Sequence, residues 1–223
     1  MHSLTSGLVR RFGACLFIVA FMTPVQADTV VNYDGFYARM KKSEKAEYSD
    51  ITLAFLLQKA GSTERCIIDS AAITTDISSE PLTLAANGEL LLPYNELLNS
   101  RKALIQLKQQ SDAVPCDLNF RLRSRLPLDK TLTLAQLHKT QQQFDSLLKD
   151  LAGLGKYFLP DMIGVTALFN QEALIEQVPH VLLDRVQCEG KQCHIDLTGL
   201  DANTVTEISF KQAPEYLVPL LQR

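Results

Sequence analysis

The apolar residues of the chain change their spacing twice. From residue 51 to residue 123 they mostly alternate with polar residues, which predicts β-strands with one buried face. From Thr131 to Leu151 they recur with a helical period, and after residue 162 the alternation returns. The pattern predicts an α+β fold: an antiparallel, sandwich-like β unit, a long amphipathic helix and a smaller β-rich C-terminal segment.

The clearest alternation runs from Cys116 to Arg123. One face carries Cys116, Leu118, Phe120 and Leu122, whereas the other carries Asp117, Asn119, Arg121 and Arg123, with Arg125 continuing the row. This predicts a strand with one face in the core and one in solvent. The row Arg121, Arg123 and Arg125 is a candidate site for an anion such as phosphate or a sugar acid, because guanidinium groups suit those ligands. The alternative interpretation is a solvated face that resists edge pairing.

Two helices are predicted from spacing. Near the N-terminus, apolar residues fall at i, i+3, i+4 and i+7 after the candidate N-cap Asn32, and this face is expected to plug the β unit rather than to bind a ligand. They are Tyr33, Phe36, Tyr37 and Met40. The long helix follows Thr133, which forms a capping box with Gln136. Its apolar stripe consists of Leu134, Leu137, Phe144, Leu147, Leu148 and Leu151.

Shorter segments give weaker predictions. Asn87-Gly88 between two apolar runs predicts a hairpin with a type I′ turn, because both residues tolerate positive φ. Cys66 to Ile73 is predicted as a strand. Residues 170–177 are a short helix candidate that stops before Pro179, and residues 213–216 are a candidate terminal helical turn.

The first 27 residues have the pattern of a secretory signal peptide. Arg10-Arg11 precede an apolar run over residues 12–22, and Val25-Gln26-Ala27 supplies small residues before Asp28. The run is too short to span a bilayer, which needs about 20 apolar residues. We therefore expect cleavage after Ala27, no stable membrane insertion after cleavage, and a periplasmic location if the source is a Gram-negative bacterium. The remaining chain divides into a β-rich unit over 28–128 and a helix plus β-rich unit over 129–223.

Charge and composition bound the partners. Hydrophobic residues make up 46% of the chain, which is enough to form a core. Loss of Arg10 and Arg11 on cleavage changes the formal net charge from −3 to −5. This argues against nucleic acid, and against an anionic membrane as a bulk partner.

Four cysteines remain after cleavage, and an even number in an exported chain indicates two disulfides. Three pairings are possible, and sequence distance favours Cys66–Cys116 with Cys188–Cys193. In the chain-entropy treatment the first contributes about 4 kcal/mol and the second about 2 kcal/mol. Since Cys66 and Cys116 are each expected to begin a strand, the first disulfide is expected to join two strands of the same direction across the two sheets of a sandwich.

The sequence lacks the common catalytic and metal-binding motifs. The sequence has no Gly-x-Ser-x-Gly elbow, no phosphate-binding glycine loop and no His-Glu-x-x-His helix. A zinc site from Cys188, Cys193, His194 and His180 is disfavoured, because the spacing is unusual and adjacent strand residues point to opposite faces. We therefore expect no catalytic, cofactor-binding or metal-binding residues, and no cofactor. An envelope hydrolase with a dispersed site stays as an alternative, and it requires a pocket where His138, His180 or His194 meets an acid or a hydroxyl.

Several short motifs resemble a family of exported bacterial proteins known only as a domain of unknown function. The resemblance rests on Tyr33-x-x-Phe36-Tyr37 with Lys41-Lys42, on Ala54-Phe55, on Cys66 and on Leu92-Pro93-Tyr94. It covers the mature chain to about the start of the long helix. It implies an envelope protein and assigns no catalytic residue.

Together these features favour a non-catalytic periplasmic protein that binds an envelope protein or a cell-wall component. The alternatives are the envelope hydrolase with a dispersed site and a small-anion binder that uses Arg121, Arg123 and Arg125.

The disulfide pairing is directly testable. Peptide mapping without reduction is expected to recover Cys66 linked to Cys116 and Cys188 linked to Cys193, because these are the closest pairs in sequence. A peptide that joins either of the first two cysteines to either of the last two would overturn the layout in two segments.

Overall fold

A computed structural model describes residues 28–109, 114–125 and 127–222. The predicted signal peptide, residues 1–27, lies outside the described residues. Among the helices that are described, none is long and apolar enough to cross a membrane.

The first half of the chain is built mainly from short strands. They are β1 (Asp28–Asn32), β2 (Ile51–Lys59), β3 (Ser70–Thr74), β4 (Ser79–Pro81), β5 (Thr83–Leu84), β6 (Leu90–Leu91), β7 (Leu104–Lys108) and β8 (Cys116–Ser124). An antiparallel sheet has the order β1-β7-β3-β4, while β2 pairs with β8 and β5 pairs with β6. The helices here are α1 (Asp34–Ser43) and α2 (Glu96–Ser100), with a 3₁₀ turn at Ala46–Tyr48.

The long helix and two further sheets make up the rest. The helix is α3 (Leu134–Ala152), and a 3₁₀ turn follows at Gly153–Phe158, with another at His180–Leu182. The strands are β9 (Thr131–Thr133), β10 (Met162–Leu168), β11 (Ile175–Gln177), β12 (Val186–Glu189), β13 (Gln192–Asp196), β14 (Glu207–Phe210) and β15 (Tyr216–Leu221). They form the antiparallel sheets β12-β13-β10-β15 and β11-β14-β9. The structure confirms the α+β class, the antiparallel sheets, the long helix and both disulfides.

Helix α3 connects the two halves. Leu137, Phe144 and Leu147 are fully buried, and the helix contacts α1, β2, β8, β10 and β15. Two glutamines of α3 form hydrogen bonds with different halves of the chain. The Gln143 side chain accepts from the main-chain N–H of Asp50 at 3.0 Å, whereas Gln141 donates to the carbonyl of Met162 at 2.9 Å.

Both predicted units contribute to one continuous cluster of buried apolar residues, which extends from Tyr33 to Leu217. The main-chain N–H of Leu217 in β15 also donates to the Ser124 hydroxyl in β8 at 2.8 Å. The division of the chain into two units at residue 128 stays a prediction. The apolar packing is continuous between the residues on either side of it.

The Cys66–Cys116 disulfide is placed differently from the expectation. Cys66 does not begin a strand: it lies between β2 and β3, and its N–H donates to the carbonyl of Leu57 at 3.0 Å. Cys116 begins β8 and pairs with Lys59 on the other edge of β2. The disulfide, with a Cα–Cα distance of 5.7 Å, therefore joins the two segments that flank the end of β2. The two segments do run in the same direction, since both are antiparallel to β2. The expected placement across the two sheets of a sandwich is wrong, because both segments flank the same strand.

Local predictions fail where tertiary contacts decide. Tyr33, not Asn32, occupies the N-cap position of α1, and its side chain makes no capping hydrogen bond. Asn32 is held in β1 opposite Leu104. The hairpin forms around Asn87-Gly88, but only Gly88 has a positive φ, at 85°. Gly88 donates to the Ala85 carbonyl and Ala85 to that of Glu89, which gives a three-residue loop instead of a type I′ turn.

Two predicted helical segments are not helices. Residues 170–177 end in β11, which pairs with β14, and the N–H of Ala173 donates to the carbonyl of Gly190 at 2.7 Å. The predicted terminal turn leads directly into the edge strand β15, where Pro219 is tolerated opposite Val165. In both cases hydrogen bonds to distant strands replace those that a short helix would make.

The capping box of α3 gives a prediction about stability. Thr133 accepts from the N–H of Gln136 at 3.2 Å, and the Gln136 side chain accepts from the N–H of Thr133 at 2.9 Å. Thr133→Ala is expected to lower the free energy of unfolding by about 1 kcal/mol, since it leaves an N–H at the helix start without its partner. Urea denaturation measures this. Thr63→Ala, at an exposed bend, is the matched control, and an equal effect of both substitutions would contradict the role of the cap.

Candidate functional site

Aromatic side chains from distant segments meet beside α1. The phenol of Tyr33 is buried, donates to the carbonyl of Pro93 and accepts from the N–H of Asn95 at 3.1 Å. The rings of Tyr37 and Tyr94 stack with their centroids 5.1 Å apart. These contacts fix the segment that follows β6 against α1.

A second ring pair ties α1 to β2. Phe36 meets Phe55 edge-on at 5.3 Å between ring centroids. Three of the segments that carry the sequence resemblance, namely 33–37, 54–55 and 92–94, are thereby in contact. The helix face predicted to fill the core does so, because Tyr33, Tyr37 and Met40 are all buried.

A groove of about 410 Å³ opens beside this aromatic cluster. Its walls come from α1, β2, the segment 89–94 and the end of β8. Its lining is Met40, Glu44, Thr52, Leu53, Phe55, Glu89, Leu90, Leu91, Leu92, Tyr94, Arg123 and Arg125. Tyr94 and Leu91 are about half exposed, so both present apolar surface to a ligand. We call this feature the groove.

The charged groups of the groove form two ion pairs of different character. Arg123 contacts both carboxylate oxygens of Glu89, with Nη2–Oε1 at 2.9 Å and Nε–Oε2 at 3.2 Å, and both side chains are largely buried. Arg125 meets Glu44 at 3.0 Å, and both of these side chains are more than one third exposed. The first pair is a fixed part of the protein, whereas the second is weak and accessible.

The inner pair crosses a strand. Arg123 lies opposite Thr52 on one edge of β2, while Glu89 bridges to Leu56 on the other edge. The remaining Nη1 of Arg123 donates to the carbonyl of Ser124 at 3.1 Å. All three guanidinium nitrogens of Arg123 therefore have protein partners.

The structure divides the predicted arginine row. Arg123 and Arg125 line the groove, each beside a glutamate, but Arg121 is not part of its lining. Phe120, on the predicted core face, is 47% exposed and lies under the guanidinium of Arg39 at 5.5 Å from the ring centroid. An anion at Arg123 or Arg125 would have to compete with a carboxylate. Anion binding by Arg121, Arg123 and Arg125 stays a prediction.

The three histidines at positions 138, 180 and 194 have different surroundings. His180 is exposed in its 3₁₀ turn. His138 is buried on α3 beside a cleft that also contains Asp145 and Asp161, and its Nε2 has no hydrogen-bond partner within the described part of the chain. His194 lines another cleft with Asp184 and Asp196, and its Nδ1 lies 2.9 Å from the hydroxyl of Thr166.

The contact between His194 and Thr166 meets part of the requirement for a hydrolase. However, Thr166 is only 4% exposed, so a substrate cannot reach its hydroxyl. The contact between the Thr166 hydroxyl and His194 Nδ1 is instead suited to holding the imidazole ring in one orientation. In residues 28–109, 114–125 and 127–222, no three side chains of His, Cys, Asp or Glu are placed to hold a metal ion. Cys188 and Cys193 are joined to each other and face across β12 and β13.

Comparison with known protein families gives one match. The family described as protein of unknown function, DUF2987, matches residues 25–169. The chain belongs to this family. The matched region contains every residue that lines the groove, whereas Asp184, His194 and Asp196 lie beyond it. Comparisons with curated proteins and with solved structures find no match.

The resemblance to a domain of unknown function is thus confirmed, and the family region extends past the start of α3 to residue 169. Sequence reasoning did not identify Glu44, Glu89 or Tyr94 as site residues. A usable signal existed for Glu89: it directly precedes the apolar run Leu90-Leu91-Leu92 and is buried beside Leu90. An acidic residue in such a run needs a partner, and Arg123 is that partner.

The aromatic cluster predicts a response to alkaline pH. A hydrogen bond with Tyr94 raises the pKa of Tyr37 to about 12 from an ordinary value of 10.0, and desolvation adds to the shift. Burial also raises the pKa of Tyr33. Between pH 10 and 12 the unfolded chain loses phenol protons that the folded chain retains. The stability contributed by Tyr37 is therefore complete below pH 10 and declines as the pH rises towards 12.

Urea midpoints measured across this pH range test the effect. Tyr37→Phe is expected to flatten the alkaline decline, because the substituted ring has no proton to lose. Tyr157→Phe is the matched control, since Tyr157 is 77% exposed and its substitution is expected to leave the decline unchanged. A decline of the same steepness in Tyr37→Phe and the wild type would refute the assignment.

Proposed function

We propose that this protein is an exported, non-catalytic binding protein whose groove holds a peptide chain. The peptide belongs to an envelope protein or to a peptide-bearing component of the cell wall. The observation that carries the proposal is the groove itself, where half-exposed Tyr94 and Leu91 lie next to two ion pairs inside the family region.

The composition of the groove suits a peptide. Its apolar surface comes mainly from half-exposed Leu91 and Tyr94, with Met40, Phe55 and Leu90 buried behind them. Its two arginines and two glutamates leave it without net charge. A peptide also combines apolar side chains with polar groups of both kinds. The exposed pair Arg125–Glu44 is loosely held and is available to exchange partners with a ligand.

The rigid parts of the groove support binding without a large rearrangement. The bidentate pair Arg123–Glu89 is buried, and the stacking of Tyr37 and Tyr94 holds the segment 89–94 against α1. A preformed site loses less conformational entropy when a ligand binds.

Export is supported by the chemistry of the cysteines. Two disulfides are compatible with an oxidising compartment and are rare in the cytosol. The basic, apolar and small residues at the N-terminus, in that order, are typical of a secretory leader.

Among the described residues, the groove lining has no histidine, cysteine or serine, and Thr52 supplies its one aliphatic hydroxyl. Both of the lining carboxylates are paired with arginine. The groove therefore has no obvious nucleophile with an adjacent base, and binding is the better-supported function. The cleft at His194 does not favour a hydrolase either, since the hydroxyl that the ring contacts is buried.

Photocrosslinking in intact cells tests the proposal. A photoreactive residue at Leu91, which is 46% exposed in the groove, is expected to give a discrete adduct with a peptide or protein. The matched control is the same residue at Ile77, which is 71% exposed in the turn between β3 and β4, and no such adduct is expected there. Mass spectrometry identifies the partner.

Tyr94→Ala in the Leu91 background is expected to reduce the adduct at least several-fold while both disulfides still form. Equal adducts at Leu91 and Ile77, or an adduct that Tyr94→Ala leaves unchanged, would mean that the groove does not hold the partner.

A further inference from the structure

An unusual apolar surface follows the end of α3. In the 3₁₀ turn Gly153–Phe158, three large apolar side chains are almost fully exposed: Leu154 by 87%, Tyr157 by 77% and Phe158 by 89%. Residues three apart share a side of a 3₁₀ helix, so Leu154 and Tyr157 lie on one side. We call this segment the apolar turn. Contiguous apolar exposure of this kind usually marks a contact surface.

The main chain forces these side chains outward. Helix α3 ends at Gly153, whose φ of 56° turns the chain away from the helix axis. Two of the last carbonyls of the helix have partners: the N–H of Gly153 donates to that of Lys149, and the Lys42 ammonium donates to that of Asp150 at 2.6 Å. The exposed side chains of the apolar turn therefore protrude from an anchored helix end.

The charge of the apolar turn is opposite to that of the whole protein. Lys156 is the only charged residue between Asp150 and Asp161, and its ammonium lies 5.2 Å from the Tyr157 ring centroid. The full chain has a formal net charge of −3. Lys42 and Lys45 also lie at this end of α3, where they contact Asp150, and Glu47 lies 3.7 Å from the Lys45 ammonium. With Lys156, these three lysines and two acids leave a formal net charge of +1, so an anionic surface would repel this end less than the rest of the protein.

We propose that the apolar turn docks the protein on the surface of an anionic phospholipid bilayer. Leu154 and Phe158 enter the boundary between headgroups and acyl chains, Tyr157 lies at the headgroup level, and Lys156 meets lipid phosphate. Tyrosine and lysine are typical of that boundary, because each combines an apolar body with a polar end. Side chains that protrude this far suit a fluid surface, whereas a protein partner would need a matching pocket. This contact is separate from the proposed peptide groove.

The absence of tryptophan from the chain makes a direct test possible. Phe158→Trp places a single fluorophore in the apolar turn, and Val205→Trp places one at a fully exposed position elsewhere. Each variant is purified after export, and its intact mass defines the N-terminus. The probe is a vesicle of phosphatidylcholine with phosphatidylglycerol. We expect the emission of Phe158→Trp to shift to the blue and to be quenched by lipid-borne quenchers, while Val205→Trp does not change.

Affinity for the same vesicles provides a second measurement. Phe158→Ser is expected to weaken binding on the order of tenfold, since it removes one inserted apolar side chain. Lys156→Gln is expected to weaken it by about fivefold on anionic vesicles and to have no effect on neutral ones. Val205→Ser is the control and leaves the affinity unchanged.

Two results would overturn the proposal. One is emission from Phe158→Trp that is identical with and without vesicles. If the purified protein retains an N-terminal segment that binds the vesicle, unchanged emission in that bound form would overturn the proposal equally. The other is a blue shift that depends on protein concentration in the absence of lipid, which would show that a second copy of the chain covers the turn.

Discussion

The structure depends on the burial of one helix between two sets of strands. Leu137, Phe144 and Leu147 of α3 have no exposed surface, and their neighbours come from both halves of the chain. Gln143 and Gln141 add hydrogen bonds in opposite directions, to Asp50 and to Met162. Because α1 also packs on α3, the helix sets the position of the wall that carries Met40 and Glu44. A substitution that disturbs α3 would therefore alter the groove, although no described residue of α3 lines it.

The second constraint acts on β2. This strand has β8 on one edge and the residues around Cys66 and Glu89 on the other. The Cys66–Cys116 disulfide and the buried Arg123–Glu89 ion pair each join the segments on the two edges of β2. Glu89 carries a large desolvation cost, and the bidentate geometry with Arg123 offsets it. Loss of either partner alone would leave an unpaired buried charge beside the buried apolar residues of β2.

The features that could be predicted from the sequence were those set by local periodicity. The stripe of α3, its cap at Thr133 and the existence of strand β8 all depend on residues within a few positions of each other. The faces of β8 were predicted only in part, since Phe120 is exposed and the Arg123 side chain is largely buried. The disulfides were also predictable, because few pairings were possible. The groove was not predictable in the same way. Its ion pairs join residues 34 and 81 positions apart, and no periodic pattern connects Glu44 to Arg125.

Failures at short segments have the same origin. Residues 170–177 have adequate helix formers, but a helix of two turns gains little by itself, and pairing with β14 supplies hydrogen bonds and burial together. Asn32 is a good capping residue in isolation, yet β7 already uses its backbone. Where an element is short, contacts from elsewhere in the chain decide its conformation.

The disulfide at β2 has a mechanical consequence. It closes a covalent ring from residue 66 to residue 116, and the segment 89–94 lies inside that ring. The opposite side of the groove, from α1 and the end of β8, lies outside it. A closed ring has far fewer extended shapes than an open chain of the same length. The segment 89–94 is therefore restrained from both ends of the ring, whereas α1 is not.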